Sequence, residues 1–313
     1  MLMNLETLNW DQTLLNEFNI PLNTLPKILN SSDDFGIVKK GYLKGIRITG
    51  VIGDQQSACM GHLLQKGEVK NTYGTGCFIL MNTGEAIAHS KFGLLTTLLY
   101  KGNCEELQTH KPCFALEGAI ETAGSALKWL KDNLKLFNNF EMLPGLFNSV
   151  EDNGGVCFVP AFSGLFSPHW DNSASGMLIG LSHHTKQGHI VRATYEAISF
   201  RTYEVIKSFE KESNIPVECL KVDGGLTASD EFLQTQANVL SISVEKQNEK
   251  EITIIGSAVV AGLEKDVILW KSLDELREMI KVETLFEPVW SKEYFEKLHK
   301  QWEKAIEKAK NWN

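Results

Sequence analysis

The sequence predicts an α/β fold whose strands end in glycine-rich tips. Three observations predict it. Short, largely apolar runs recur at 46–52, 77–81, 94–98, 113–116 and 155–160, a length that suits buried strands. Longer stretches, such as 187–211 and 291–312, repeat apolar residues every three or four positions, as amphipathic helices do. Three polar glycine turns punctuate the chain: Gly53-Asp54-Gln55-Gln56 after the run 46–52, Asn71 to Gly76 before the run 77–81, and Gly224-Gly225 after Cys219–Asp223. Glycine lets the backbone turn sharply, so such tips present side chains and amides outward.

Composition narrows the class. The chain has 313 residues, 43% of them hydrophobic and 22% charged, which is ordinary for a globular protein. Its net charge of −8 favours neither nucleic acid nor an anionic membrane surface. Cys59, Cys77, Cys104, Cys113, Cys157 and Cys219 are scattered, without metal-ligand spacing. They read as free, mostly buried thiols in a reducing compartment. No stretch has the length and apolarity of a membrane span, so a cytoplasmic protein is expected.

In residues 1–45, Trp10, Leu14, Leu15 and Phe18 mark one face of a short helix, and Pro21 and Pro26 break the chain beyond it. This segment has too little apolar surface for a core of its own. Residues 46–52 read as a buried strand that delivers Asp54, Gln55 and Gln56 to its tip. Asn71 to Gly76 forms a second tip, and Cys77–Met81 returns as a strand. An acid at one tip and bare N–H groups with a hydroxyl at the other suggest phosphoryl transfer to an alcohol. Each tip alone is more often a polar turn than a site. Strands at 94–98 and 113–116 enclose a polar excursion, Lys101–Pro112. A helix is expected from about Gly118 to Leu134, with Ile120, Ala123, Leu127 and Leu130 inward and Gly124 on the same face. Close helix packing or close approach of a ligand would each explain that glycine.

After a strand at 155–160, His183 and His184 lack a second ligand set, so surface or structural histidines are expected. A helix over 187–211 carries Val191, Ile198, Val205 and Phe209 along one side. Cys219–Gly225 is a third strand and tip. Thr227 to Phe232 opens a helix with acids in its first turn, an arrangement compatible with a nucleotide. Ile252–Leu263 carries Gly256, Ser257, Ala258, Ala261 and Gly262, spaced for tight helix packing. Ser272 to Glu275 is a capping-box pattern. The last helix spans 291–312, with Phe295, Leu298, Trp302 and Ala305 on one face.

Several stretches, in order, resemble the glycerol kinase branch of the FGGY carbohydrate kinases. They are MNLETLNWDQTLLNEFNIPLNTLP, GDQQSA with KNTYGTGCFILMNTGE, ALEGAIETAGSALKWL, FVPAFSGL, VDGG with FLQTQANVL, and ITIIGSAVVAGL. The resemblance implies an actin-like (ribonuclease H-like) ATPase domain, a mixed sheet flanked by helices. Residues 1–45 would be the remnant of the family's N-terminal domain, and 46–313 its C-terminal nucleotide-binding domain. The implied reaction is MgATP-dependent phosphorylation of glycerol to sn-glycerol 3-phosphate.

Residue by residue, the resemblance makes Asp54 the general base. Gln55 binds a further glycerol hydroxyl and Phe78 lies against the carbon chain. Thr75 and Gly124 lie along the phosphates, and Gly225 and Ser229 hold the adenosine. No protein-held metal site is implied; ATP and Mg2+ are the cofactors, glycerol and ATP the partners, and a homo-oligomer is expected. Three positions depart from the family: Ser175 stands where an arginine is usual, Lys128 where bacterial members often have glutamine, and Ser229 where asparagine is common. The family's first phosphate loop and a metal-side aspartate precede the matched part. The chain is therefore expected to resemble the C-terminal half of the enzyme and not to phosphorylate glycerol by itself. A non-catalytic nucleotide-binding or oligomerisation module, and an FGGY kinase for another polyol or sugar, are the competing readings.

Overall fold

The structure, a computed structural model, describes residues 2–249 and 251–312. The chain begins with β1 (Met3–Asn4), β2 (Asn9–Trp10), α1 (Gln12–Glu17) and α2 (Asp54–Gly61). Next come β3 (Val69–Tyr73), β4 (Cys77–Gly84), β5 (Leu95–Tyr100), β6 (Cys113–Ile120), α3 (Gly124–Asp132) and α4 (Leu143–Asn148). After them stand β7 (Cys157–Val159), β8 (Met177–Ile179), α5 (Gln187–Ser213), β9 (Cys219–Gly224), α6 (Asp230–Leu240) and β10 (Ser243–Gln247). The chain closes with α7 (Ile252–Gly262), α8 (Leu273–Met279), β11 (Val282–Phe286) and α9 (Lys292–Ala309).

Seven strands form the central mixed sheet, in the order β11-β10-β9-β3-β4-β6-β5. Strand β9 runs parallel to β10 and β3; the other pairings are antiparallel. Alternation along β3 and β4 divides the faces. Val69 and Tyr73, with Cys77, Ile79 and Met81, join the main core with Val191, Ile198, Val205 and Phe209 of α5. Fully burying one such aliphatic or aromatic side chain is worth about 1.5–3 kcal/mol. As the sequence indicated, α5 is a core helix; it ends where Asn214 adopts a left-handed conformation, φ 55°, which asparagine tolerates.

The opposite face of the sheet carries Leu80, packed with Cys59, Leu64, Leu99 and Ala115. Helices α2 and α7 cross there at glycine. A Cβ on Gly256 would lie 1.7 Å from the Ser57 carbonyl oxygen, and one on Gly61 2.2 Å from that of Ile252. The small-residue stripe of 252–263 is thus a helix contact, as its spacing indicated. The Ser57 hydroxyl closes it with a 2.6 Å bond to the Thr253 carbonyl. Beside α5, α9 buries Leu298, Trp302 and Ala305, and Trp302 stacks on Phe200 at 5.6 Å.

Four expectations are corrected. Residues 46–52 are not a buried strand: only isolated bridges form there, and Ile46 and Val51 are 55% and 53% exposed. Thr49 and Gly50 pack closely against Ala261 of α7, and Ile52 packs against the core cluster that includes Val259 and Leu263. An apolar run specifies hydrophobicity but not the element that would cover it. Second, Asp54 therefore stands not at a strand tip but at the first position of α2, behind the N-cap Gly53.

Third, the helix expected from Gly118 begins at Gly124. Gly118 and Ile120 belong to β6, paired with Ile79 and Cys77 of β4, so sheet pairing overrides the local helical spacing. Gly124 is consequently a helix-start residue and not mid-helix. Fourth, in the first segment α1 buries Leu15 but not Leu14. Trp10 lies in β2, its indole N–H bonded to the Pro26 carbonyl at 2.9 Å, and Phe18 is exposed.

Candidate nucleotide and substrate site

Three of the expected nucleotide residues share one cavity of about 510 Å³. Gly124, Gly225 and Ser229 line it, with Tyr73, Leu127, Phe140, Leu143 and Tyr195 among the other walls. The sheet register builds this place. Tyr73 pairs with Gly224 across β3 and β9, and Gly224 has φ 93° with its Cβ position 2.3 Å from the Tyr73 carbonyl oxygen. Only glycine fits there. At Gly225 nothing lies within 4 Å of a Cβ position, so that glycine leaves open space in the cavity wall. Ser229 caps α6: its hydroxyl accepts from the Phe232 amide at 3.2 Å and lies 3.2 Å from the Tyr195 hydroxyl.

The β3–β4 tip is stitched to the start of α3. The Gly124 amide donates to the Gly74 carbonyl at 3.1 Å, and the Ala123 and Ser125 amides donate to the Thr75 carbonyl at 2.9 and 3.1 Å. These amides belong to the start of α3; at the tip itself the Gly74 amide donates to the Gly76 carbonyl at 2.9 Å. Thr75 itself is exposed at the end of the hairpin. Close packing and a place at the cavity both apply to Gly124: its Cβ position is 2.6 Å from the Gly74 oxygen, and it also lines the cavity.

The expected glycerol residues lie outside this cavity, on the α2 side of the sheet. Asp54 is exposed, Gln55 half-buried and Phe78 42% exposed. A residue missed in the sequence joins them. Lys70 is fully buried, and its ammonium donates to Gln55 Oε1, to Thr72 Oγ1 at 2.7 Å and to the Phe78 carbonyl at 3.2 Å. Thr72 in turn donates to Asp223 Oδ2 at 3.1 Å, and His62 Nε2 lies 2.9 Å from that oxygen. Asp223 immediately precedes Gly224, so the network runs from α2 to the tip of β9.

Its electrostatics come from burial. Burial lowers the Lys70 ammonium from its ordinary value, against the pull of Cys59, Asp223, Glu117 and Asp54. Burial pushes the Asp223 carboxyl up, but the hydrogen bond and charge of His62, with Lys70 and Thr72, hold it below the usual carboxylate range. Burial raises Glu117, opposed by Lys70 and reinforced by Asp54. A lysine at an inward strand register, between Val69 and Asn71, is the signal that could have disclosed Lys70.

Other singled-out residues lie elsewhere. Lys128 is exposed and pairs with Asp132 on α3. The Ser175 amide bonds the Ala309 carbonyl at 2.9 Å, at the end of α9. His183 and His184 are exposed, and among the described residues no three or more His, Cys, Asp or Glu side chains group to hold a metal. Among them, too, the six cysteines are free. No described helix is long and apolar enough to cross a membrane.

Comparison with known proteins places this geometry. The C-terminal domain model of the FGGY family of carbohydrate kinases matches residues 69–264. The chain is 43% identical to a glycerol kinase of Methylobacterium radiotolerans over 312 residues, covering 99% of this chain. It is 45% identical to one from Mycolicibacterium gilvum over 317 residues. It spans 61% of the length of each. Among solved structures, Plasmodium falciparum glycerol kinase with ADP superposes with TM-score 0.90 at 38% identity, covering 98% of this chain and 61% of that one. A ligand-bound xylulose kinase from Lactobacillus acidophilus shares the fold at TM-score 0.79 and 19% identity. A mixed sheet flanked by helices, the actin-like ATPase fold, is common to them. The chain belongs to the FGGY family of carbohydrate kinases.

Proposed function

We propose that this chain forms the nucleotide-binding part of an ATP-dependent glycerol kinase. In this reading residues 46–313 are the family's C-terminal domain, and residues 1–45 belong with the N-terminal domain. Asp54 takes the proton from one glycerol hydroxyl as its oxygen bonds to the γ-phosphorus and the bond to the ADP oxygen breaks. Gln55 bonds a second hydroxyl, and Phe78 lies against the carbon chain. Thr75 and Gly124 lie along the phosphates; Gly225 and Ser229 border the adenosine, with Phe140 and Tyr195 as aromatic walls. The observation that carries the reading is the shared support: Lys70 binds Gln55 and Phe78 beside Asp54, and one hairpin joins that cluster to a nucleotide-sized cavity.

Magnesium enters with the nucleotide in this proposal. The exposed Asp54 carboxylate, outside any group of three or more His, Cys, Asp or Glu side chains among the described residues, suits a metal held through phosphates and water, not a protein cage. When bound, it neutralises charge on the phosphates. We place the protein in the cytoplasm, as a homo-oligomer, by family likeness alone.

A second reading is a nucleotide-binding module without turnover. Its supporting observation is exposure: Asp54, Thr75, Phe78 and Gly225 are all exposed. Phosphoryl transfer needs phosphates held from both sides and water excluded. The experiment joins this chain to the N-terminal part of a glycerol kinase and compares kcat/KM for glycerol, xylulose and gluconate. Glycerol is expected to lead, because a site that hydrogen-bonds hydroxyls discriminates strongly. A pentulose or gluconate leading would move the chain to another branch of the family.

A further inference from the structure

We infer that Lys70 is a positioning residue, which fixes the Gln55 amide so that the site offers a substrate oxygen a donor beside the Asp54 acceptor. Which end of a glutamine amide is oxygen is ordinarily an assignment. Here the chemistry decides it: an ammonium has three donors and no acceptor, so the end of Gln55 that meets Lys70 Nζ is Oε1. The Nε2 end, with two donors, is then directed away from Lys70. Gln55 is half-buried, and Asp54 is its neighbour at the exposed start of α2. A carboxylate accepts and an amide NH2 donates. Together they match a polyol, whose hydroxyl donates at one carbon and accepts at the next.

The ammonium is itself immobilised. Its three N–H groups meet Gln55 Oε1, Thr72 Oγ1 and the Phe78 carbonyl. Thr72 accepts from Lys70 and gives its own proton to Asp223, so the donor count closes along the chain. Lys70 is 0% exposed; its three hydrogen-bond partners are neutral, and Asp223, Glu117 and Asp54 attract it from farther off. Burying a cation with no charge in direct contact is costly, and an apolar side chain of similar length would fill the space at less cost. Packing therefore does not account for a lysine here, whereas orienting Gln55 and holding Phe78 does.

The inference rests on the reading of Gln55 as a substrate contact, and one experiment separates the two. In the 15N-labelled 313-residue chain, side-chain relaxation of Gln55 is compared with that of Gln236. Gln236 is buried, bonds Tyr73 and Ser199, and serves as the internal control. Gln55 is expected to be ordered, with an order parameter of about 0.8 although it is only half-buried, and to fall below about 0.6 in Lys70→Met. Gln236 should not change. A Gln55 already mobile in the wild type overturns the inference, as does a Lys70→Met protein in which both glutamines loosen or neither does. Should Lys70→Met fail to fold, Thr72→Val, which removes one anchor of the ammonium, must lower the Gln55 order parameter. Glycerol is then titrated into the wild type. An ordered, Lys70-dependent Gln55 whose signals ignore glycerol upholds the positioning role and contradicts the glycerol reading.

Discussion

The amide nitrogen of Gly124 sits 3.1 Å from the carbonyl oxygen of Gly74. With the Ala123 and Ser125 amides on the Thr75 carbonyl, it joins the β3–β4 tip to the start of α3 at the rim of the cavity. A methyl group at 124 would lie 2.6 Å from the same oxygen, closer than a Cβ tolerates. Gly124→Ala should therefore spread the tip from the helix and destabilise the fold by about 1–3 kcal/mol. ATP affinity should fall as well. Thermal unfolding and calorimetry with ATP check both; an unchanged Tm with unchanged affinity would contradict the role given to this contact.

Helix α2 carries Asp54 at its start, so its seat on α7 sets where the acid stands. Gly256→Ala places a Cβ 1.7 Å from the Ser57 carbonyl oxygen, and backbone must move to admit it. The loss should exceed about 3 kcal/mol. Gly145→Ala is the comparison, since nothing lies within 4 Å of its Cβ position. Equal denaturation midpoints for the two variants would refute the clamp.

Glu196 of α5 predicts a pH dependence. Burial pushes its carboxyl up to about 8, opposed by the Asn153 hydrogen bond and by Arg192. The folded value exceeds the ordinary one, so the unfolded chain releases this proton first. The contribution to stability is full below about 4.5 and is lost as pH rises toward about 8. Glu196→Gln removes that slope. It should gain on the wild type between about pH 5 and pH 8, reaching about 1–3 kcal/mol at the upper end. A difference in stability that is constant with pH would show that Glu196 does not titrate in this way.

Much of the fold was legible because local chemistry and tertiary position agreed. Asn214 ends α5, Ser229 and Ser272 cap their helices, and the glycines of α7 mark a helix crossing. Where they disagreed, the sequence misled. Ile46, Ile48 and Val51 have strand-like character, but no element covers them. Ile120 keeps helical spacing with Leu127, yet pairing with β4 claims it, and Gly118, for the sheet. In the site, Gly124, Gly225 and Ser229 were named through the family resemblance, their glycine and cap patterns alone leaving ordinary turns open, and they share one cavity. Lys70 was not singled out, because its importance lies in contacts with Gln55, Thr72 and Phe78 that only the folded register creates. Phe140 was not found either, since it reaches the cavity from a turn between α3 and α4 with no motif of its own.

The central claim is that this domain supplies the base and the nucleotide cradle for phosphoryl transfer to glycerol. The chain by itself should bind ATP without turnover, because Asp54 and Thr75 are open to water. The most direct measurement is glycerol 3-phosphate formation by the chain joined to the N-terminal part of a glycerol kinase, with Asp54 or with Asp54→Asn. The account predicts product from the Asp54 form and a kcat lower by about 10²–10⁴ in Asp54→Asn, the range for general-base catalysis. A near-normal kcat in Asp54→Asn, or an assembly that binds ATP and glycerol yet forms no product, would contradict it.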